Sequence, residues 1–326
     1  MKLAKFILFL TGIFPLVAWG DDEPVRHRRF DFSYAASVNG IPQGANVRIW
    51  IPVAESNSSQ RVRMKSLTLP CEGKLSRDSK YGNRILFLEK KQEGNGPLAF
   101  RLIYDVSRSE TVTSPGRTQE PPGQLEVFLQ PNTLVPLEGK PIQTFEKYRQ
   151  QNSLEIPEDG LQSGRLFYDF VEQHMKYDKS KPGYGSGDSV WACDSRTGNC
   201  TDFHSLFISV ARARGVPAKF QIGFPLPAER GMGKIGGYHC WAQFHTASQG
   251  WVPVDISEAD KAPEKKDYFF GNLNENRIQF TTGRDIVLSP PQKGPPLNYF
   301  VYPHVEVDGK TWPKDRIRLS FGYRDH

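Results

Sequence analysis

The chain has 326 residues, enough for about two domains that each bury a core. It is 38% hydrophobic and 24% charged, with 29 Gly and 25 Pro, which excludes a coiled coil, a collagen-like rod and a wholly disordered chain. Four cysteines are too few for a disulfide scaffold at this length, so each must be explained by its surroundings.

The first twenty residues have the pattern of a secretory signal peptide. Lys2 and Lys5 precede an apolar run from Phe6 to Val17, and Ala18-Trp19-Gly20 places small residues where a signal peptidase cleaves. The run is too short to span a bilayer and no second long one follows, so we expect no transmembrane anchor. The sequence therefore predicts a signal peptide over 1–20 and an exported protein, periplasmic or secreted.

The charge pattern argues against a nucleic-acid partner. Loss of Lys2 and Lys5 with the signal peptide lowers the formal net charge from +6 to +4. The remaining basic residues are scattered, with clusters only at 25–29 and 264–266, which is typical of a solvated surface.

A β-sandwich domain is predicted over residues 25–135. Phe30, Phe32 and Tyr34 alternate with polar neighbours, and Pro- and Gly-rich turns separate four further strand-like runs, at 47–51, 84–88, 100–104 and 125–129. Residues 109–123 contain Pro and Gly but few apolar residues, so we expect a mobile loop there.

The periodicity becomes helical after about residue 152. Leu166, Phe167, Phe170 and Val171 predict an amphipathic helix of about three turns. A long loop over 177–199, rich in Gly and Ser, follows, and such loops are uncommon unless they build a site. A second helix begins near Cys200, and strand-like runs come next, at 218–223, 238–244 and 251–256.

Cys200 is predicted to be the first residue of its helix. Asn199 is a favoured N-cap and Asp202 is best explained as the acidic partner of that cap. Helix-start N–H groups stabilise a thiolate and could bind a developing oxyanion. By itself the signal is weak, because buried cysteines are mostly inert small hydrophobes.

A hairpin supplies the other two groups that a thiolate nucleophile needs. If it is symmetric about Ala247, His239 pairs with Asp255 and Trp241 pairs with Pro253 on one face. Cys240 then lies on the opposite, apolar face. The sheet would thus present His, Trp and Asp side chains after a helix that begins with Cys.

Three motifs in this order resemble the transglutaminase-like superfamily, whose catalytic core has a papain-like fold. They are Gly198-Asn199-Cys200, Tyr238-His239-Cys240-Trp241-Ala242 and Gly250-Trp251-Val252-Pro253-Val254-Asp255, within residues 160–260. The resemblance implies a triad of Cys200 as nucleophile, His239 as general base and acid, and Asp255 as orienting carboxylate. It implies neither metal nor organic cofactor. The superfamily includes cross-linking enzymes, peptidases, amidases and inactive members, so membership does not choose a reaction.

The resulting prediction is an α+β protein. A transglutaminase-like core over 150–270, with a helix-borne Cys against an antiparallel sheet, is preceded by the β-sandwich, as in exported bacterial members that it resembles. A β-rich extension over 271–326 is expected to pack on the core.

Cys200, His204, His239 and Cys240 are residue types that could together form a zinc site. We do not expect it, because Cys240 and His239 point to opposite faces of one strand. His204 is then a supporting or surface residue.

Further cleft residues rest on position. Trp241 either walls the cleft and donates its indole N–H to an oxyanion or is an ordinary packing residue, and Gln243 lies further along the same face. Trp191 and Tyr184 precede Cys200 and are candidate lining groups. The glycine-rich stretch 231–237 lacks the order of a phosphate loop and predicts a flexible cleft edge.

Two disulfides are compatible with the sequence. Cys193 could pair with Cys240, or with Cys200 as a reversible lock. Neither disulfide includes Cys71, which lies in the β-domain.

The sequence thus predicts an exported cysteine enzyme that acts on an amide bond of a protein or peptide substrate, cell-envelope proteins included. Attack by Cys200 would give a thioester, resolved by water in a peptidase or amidase. Resolution by an amine, as in a cross-linking transglutaminase, is the first alternative. A catalytically inactive core that binds an envelope protein is the second.

Overall fold

The computed structural model describes residues 24–113 and 123–326. The predicted signal peptide lies outside these residues, as does most of the predicted mobile loop. Within the described ranges, no helix is long and apolar enough to cross a membrane.

The N-terminal region is made of strands. Those that the alternating pattern predicted are present, but Gln60–Thr68 and Gly73–Arg77 were missed because their side chains are mostly exposed. The strand predicted at 125–129 is wrong: Glu126–Phe128 is a 3₁₀ turn that packs the Phe128 ring edge-on against Trp251. The strands are β1 His27–Val38, β2 Asn46–Pro52, β3 Gln60–Thr68, β4 Gly73–Arg77, β5 Arg84–Lys91, β6 Leu98–Ser109 and β7 Thr111–Val112.

Helices dominate the next part of the chain. The loop predicted over 177–199 contains a short helix that sequence periodicity could not reveal, because it has only seven residues. The elements are α1 Lys140–Gln151, α2 Gly160–His174, β8 Lys176–Tyr177, α3 Ser189–Ser195, β9 Thr197–Gly198 and α4 Cys200–Ala213.

The last part returns to strands, with one short helix after the hairpin. The elements are β10 Ala218–Pro225, β11 Met232–Ile235, β12 His239–Thr246, β13 Gly250–Val254, α5 Ile256–Lys261, β14 Asn272–Leu273, β15 Arg277–Thr282, β16 His304–Val307, β17 Lys310–Thr311 and β18 Ile317–Asp325.

Two five-stranded sheets contain strands from both ends of the chain. Their orders are β11-β18-β1-β6-β3 and β17-β16-β2-β5-β4. Of the extension over 271–326, which was expected to pack on the core, β15 joins the core sheet by pairing with β10, and β16 to β18 pair within these two sheets. β1 and β2 each have one edge that β6 or β5 does not occupy. β18 can therefore pair with the free main-chain groups of β1, and β16 with those of β2.

The half of the protein that contains Cys200, His239 and Asp255 is built around α4. This helix lies against the sheet β13-β12-β10-β15, with α1, α2 and α3 packed on its other sides. Every residue from Cys200 to Arg212 is buried. A helix enclosed on all sides holds its first residue in a fixed position, which is what a catalytic group requires.

Close packing of α2 on the sheet depends on Gly164. A Cβ added there would lie 2.2 Å from ring atoms of Phe244 on β12. We expect Gly164→Ala to lower the free energy of unfolding by about 1 to 3 kcal/mol, as other overpacked cores do. Urea denaturation of Gly164→Ala and of the exposed Gly236→Ala, where nothing lies within 4 Å, would measure it. Equal stability of the two variants would contradict this packing.

Candidate active site

The capping residues of α4 fix the position of Cys200. The Asn199 side chain accepts the N–H of Thr201 at 2.8 Å, and the Asp202 carboxylate accepts the N–H of Asn199 at 2.9 Å. Asp202 also accepts N–H groups of Gly185 and Gly187, at 2.7 and 2.9 Å. The predicted capping role of Asp202 is confirmed, and the same carboxylate ties the preceding loop to the helix start.

Cys200, His239 and Asp255 meet at this helix start. His239 Nε2 lies 2.8 Å from Asp255 Oδ2, and because a carboxylate only accepts, Nε2 donates. Hydrogen bonding between the His239 and Cys200 side chains lowers the pKa of the thiol and raises that of the imidazole, and Nδ1 is the ring nitrogen left for it. Cys200 is 3% exposed, His239 6% and Asp255 fully buried.

The hairpin brings His239 and Asp255 together by a different route from the one predicted. The observed pairs, such as Gln243 with Pro253, are shifted by two residues from symmetry about Ala247. β13 therefore ends before Asp255, which is instead the N-cap of α5. A two-residue shift keeps every side chain on its face, so the predicted partners still meet.

Asp255 accepts hydrogen bonds from four donors. Oδ2 accepts from His239 and from Arg277 Nη1 at 2.9 Å, while Oδ1 accepts from Ser257 Oγ at 3.2 Å and the Glu258 N–H at 3.3 Å. Arg277 is a site residue that sequence reasoning missed, because no motif links a residue of β15 to the hairpin. Its guanidinium keeps the buried carboxylate charged.

The charges of the three groups are set by burial and by one another. Burial alone would raise the pKa of Cys200, but hydrogen bonds from Cys240 and His239 hold it well below the usual thiol value. Burial alone would lower the pKa of His239, but the Asp255 carboxylate and the Cys200 thiolate raise it to about 10. Both shifts favour the thiolate and imidazolium form of the pair, which is the reactive form of a cysteine nucleophile.

Residues 150–256 match the family model of the transglutaminase-like superfamily. This segment belongs to that superfamily. It contains Cys200, His239 and Asp255, and the mixed fold around α4 is the one expected for its members.

The chain is similar to several known proteins. An uncharacterised protein of Haemophilus influenzae is 27% identical over 316 residues, which cover 82% of this chain and 83% of the relative. The structure of a candidate cysteine protease from Cytophaga hutchinsonii covers 92% of this chain and all of its own, with 14% identity and a TM-score of 0.52. A weaker likeness, with a TM-score of 0.39 and 16% identity, covers 74% of this chain and 90% of the periplasmic domain of TgpA from Pseudomonas aeruginosa.

Cys240 of this transglutaminase-like core is a neighbour of Cys200. It is buried on the predicted apolar face, but the start of α4 lies there too, and its thiol lies 3.7 Å from Thr201 Oγ1. Burial and the neighbouring Cys200 thiolate raise the pKa of Cys240, so it stays a thiol, which as a hydrogen-bond donor lowers the pKa of Cys200. The cysteines are free, and neither considered disulfide is formed.

His204 connects α4 to α5 and does not form the zinc set. Nδ1 donates to the Cys200 carbonyl at 2.7 Å, and Nε2 accepts the Ile256 N–H at 3.1 Å. With both nitrogens used in this way the ring is neutral, and burial lowers its pKa accordingly. A zinc ion would have to displace one of these bonds.

The structure brings together two of the four predicted cleft residues. Trp241 is buried, and its indole N–H donates to Gln221 Oε1 at 2.7 Å, so this N–H is already bonded and does not face an oxyanion. Gln243 lines the same cavity as Trp241. Trp191 lies apart on α3, where its indole packs against Gly183.

Cys240→Ala should make Cys200 less acidic, because it removes a hydrogen bond to the thiolate. A thiol is a weak donor, so we expect the thiolate pKa to rise by about one unit. The rate of iodoacetamide alkylation between pH 5 and 9, followed by mass spectrometry, would show the shift. Cys193→Ala is the control, since Cys193 is buried against α1. An unchanged profile in Cys240→Ala would contradict the predicted hydrogen bond.

Proposed function

We propose that the protein is an exported cysteine enzyme that transfers the acyl group of an amide through Cys200. The observation that carries the proposal is the charged pair of Cys200 and His239 at the start of α4, oriented by Asp255. Such a pair is costly to bury, and an inert structural cysteine needs neither partner.

In the proposed reaction Cys200 acts first as nucleophile and then as leaving group, and His239 acts first as acid and then as base. The Cys200 thiolate adds to the amide carbonyl carbon, and the His239 imidazolium then gives its proton to the amine as the C–N bond breaks. The product is a thioester on Cys200 and a free amine. Neutral His239 next takes a proton from water as it attacks the thioester, which releases a carboxylic acid and restores the thiolate.

The helix start is suited to bind the oxyanion of the tetrahedral intermediate. The N–H groups of Thr201, Asp202 and Phe203 are all bonded to Asn199. The N–H of Cys200 has no such partner within the described part of the chain, and it lies beside the sulfur. A developing negative charge there would also be stabilised by the helix dipole.

Hydrolysis is the first candidate reaction because water is always in excess. Transfer to an amine is favoured by one observation, the near-complete burial of the site, since a closed site excludes water. The inactive binding module is the least supported candidate, because a binding surface needs no thiolate. Export rests on the signal-peptide pattern of residues 1–20.

The deciding experiment compares water with an added amine. Mature protein is incubated with an envelope extract, with and without a biotin-labelled alkylamine, and the peptides are analysed by mass spectrometry. New carboxyl termini without the amine indicate a hydrolase, and biotin on glutamine or at new termini indicates a transferase. The same pattern from Cys200→Ala, or neither product from the unmodified protein, would contradict the proposed enzyme.

A further inference from the structure

A cavity of about 320 Å³ lies between the β-sandwich and the catalytic sheet. Trp241 and Gln243 of β12 line one side, and Arg108 of β6 with Ser59 lines the other. Trp241 and Gln243 share the face of His239, and the ring centres of Trp241 and His239 are 6.2 Å apart. The cavity therefore begins one side chain away from the proposed general base, at a domain boundary where ligand sites are common.

Arg108 is a buried arginine that lacks acceptors. It is 2% exposed, its Nη2 donates to Thr111 Oγ1 at 3.0 Å, and its Nε has no partner within 24–113 and 123–326. No carboxylate of those ranges forms an ion pair with it. Burial and the charge of Arg277 lower the pKa of Arg108 to about 9, so the guanidinium is still charged at neutral pH.

The other buried arginines are all well supplied with acceptors. Arg28 pairs with Asp325 at 2.7 Å and Arg277 with Asp255 at 2.9 Å. Arg212 donates to two backbone carbonyls and an amide oxygen, and Arg284 to the Gly187 carbonyl and Asn298. A buried charge without such acceptors is unfavourable unless a ligand supplies them.

A short chain of hydrogen bonds leads from Arg108 to Ser59 and ends in a hydroxyl group that can donate. Its guanidinium donates to Thr111 Oγ1, and the Thr111 hydroxyl donates in turn to Ser59 Oγ at 2.8 Å. The hydroxyl hydrogen of Ser59 is then left to donate onwards at the cavity wall. Because this chain of hydrogen bonds starts at a cation, it polarises the Ser59 hydroxyl hydrogen towards an acceptor. Among the described residues that line the cavity there is no Asp or Glu to accept that hydrogen.

We propose that this cavity is a substrate subsite for a carboxylate group, bound by Arg108 and the Ser59 hydroxyl. The planar guanidinium matches a carboxylate in shape, and the amide of Gln243 on the other side of the cavity suits a peptide. The proposal deepens the proposed function, on which it rests, by naming the substrate as an amide that carries a carboxylate near the bond attacked by Cys200.

Binding can be tested without catalysis. The Cys200→Ala protein, labelled with ¹⁵N at the tryptophan indoles, is titrated with three compounds: N-acetyl-glutamic acid α-amide, N-acetyl-glutamine and N-acetyl-glutamine amide. The first carries only a side-chain carboxylate, the second only an α-carboxylate, and the third neither. We expect at least one of the two carboxylate compounds to shift the indole signals of Trp241 and Trp251, and the neutral compound to leave them unchanged. Whichever carboxylate compound binds more tightly shows whether the subsite takes a side-chain or an α-carboxylate.

Variants of Arg108 separate ligand binding from a structural role. Arg108→Met should weaken carboxylate binding by about tenfold or more without lowering the melting temperature, since it removes a buried charge that lacks acceptors. Arg108→Lys should lie between, and Arg63→Met, which alters an exposed arginine of β3, should bind normally.

Several results would overturn the subsite. They are equal binding of the neutral compound, unchanged binding in Arg108→Met, and binding of inorganic phosphate with none of the carboxylates. If Arg108→Met fails to fold, Arg108→Lys and the comparison of charged with neutral ligands still decide. Failure of acyl transfer in the envelope experiment, with carboxylate binding intact, would remove the enzyme and leave the subsite.

Discussion

Replacement of Cys200 by alanine is expected to abolish acyl transfer and leave the protein folded. In the proposed reaction the Cys200 sulfur forms the thioester, so the rate should fall by at least about four orders of magnitude. Little stability should be lost, because an alanine fits where the thiol was and the bonds among His239, Asp255 and Arg277 do not involve the sulfur.

The pH dependence of alkylation gives a measure that needs no known substrate. In the unmodified protein, iodoacetamide should modify Cys200 at pH 6, where a thiol of pKa about 8.5 would be about 300-fold less ionised than a full thiolate. His239→Ala should remove this low-pH reaction, since it removes the imidazolium that stabilises the thiolate.

Three other cysteines serve as internal controls. Burial raises the pKa of Cys71 and Cys193, and burial with the neighbouring thiolate raises that of Cys240, so none should react at pH 6. Peptide mapping after brief alkylation should find the label on Cys200 alone. Activity retained by Cys200→Ala, or label on another cysteine first, would show that the mechanism is wrong.

Local signals made the position of Cys200 at the start of α4 predictable. Asn199, Cys200 and Asp202 lie within four residues, so the capping pattern and the helix start follow from spacing alone. The link between His239 and Asp255 was predicted with the wrong register, but the strand period of two keeps side chains on their faces, so the partners were right.

Contacts between distant segments could not be predicted in this way. β18 pairs with β1 across almost the whole chain, and Arg277 reaches Asp255 from another strand. Cys240 was placed correctly on the apolar face, but no periodicity shows that α4 begins against that face. No sequence pattern indicates Arg108, because what distinguishes it, a buried Nε without a hydrogen-bond acceptor, exists only in the folded protein.

Asp255→Asn is expected to lower both reactivity and stability. Four donors point at Asp255, two at each carboxylate oxygen. An asparagine has one oxygen and one NH₂ group there, so two of the four donors must face the NH₂ group, which is itself a donor. The Ser257 hydroxyl can rotate away and the Glu258 N–H bond is long, so the NH₂ group should turn to that side. This arrangement loses the N-cap of α5 and leaves Arg277 without its counter-charge, at a cost of about 3 kcal/mol.

The loss of reactivity follows from the charge of His239. The Asp255 carboxylate raises the pKa of this ring, so a neutral amide should let it fall from about 10 towards its usual value near 6.5. Above that pH, His239 would be neutral and Cys200 would remain a thiol. Alkylation at pH 7 should therefore drop by about tenfold or more, and should recover only as the pH rises through the range of an ordinary thiol.

A carboxylate in the same helix provides the matched control. Asp260 of α5 accepts from Lys176 Nζ and from the Tyr177 N–H, both at 2.8 Å, and contacts neither Cys200 nor His239. Asp260→Asn should lower the melting temperature but leave the alkylation profile unchanged. If Asp260→Asn changed the profile as much as Asp255→Asn, the effect would be a general loosening of α5. If Asp255→Asn kept the low-pH reactivity, Asp255 would not be the group that holds His239 in its charged form.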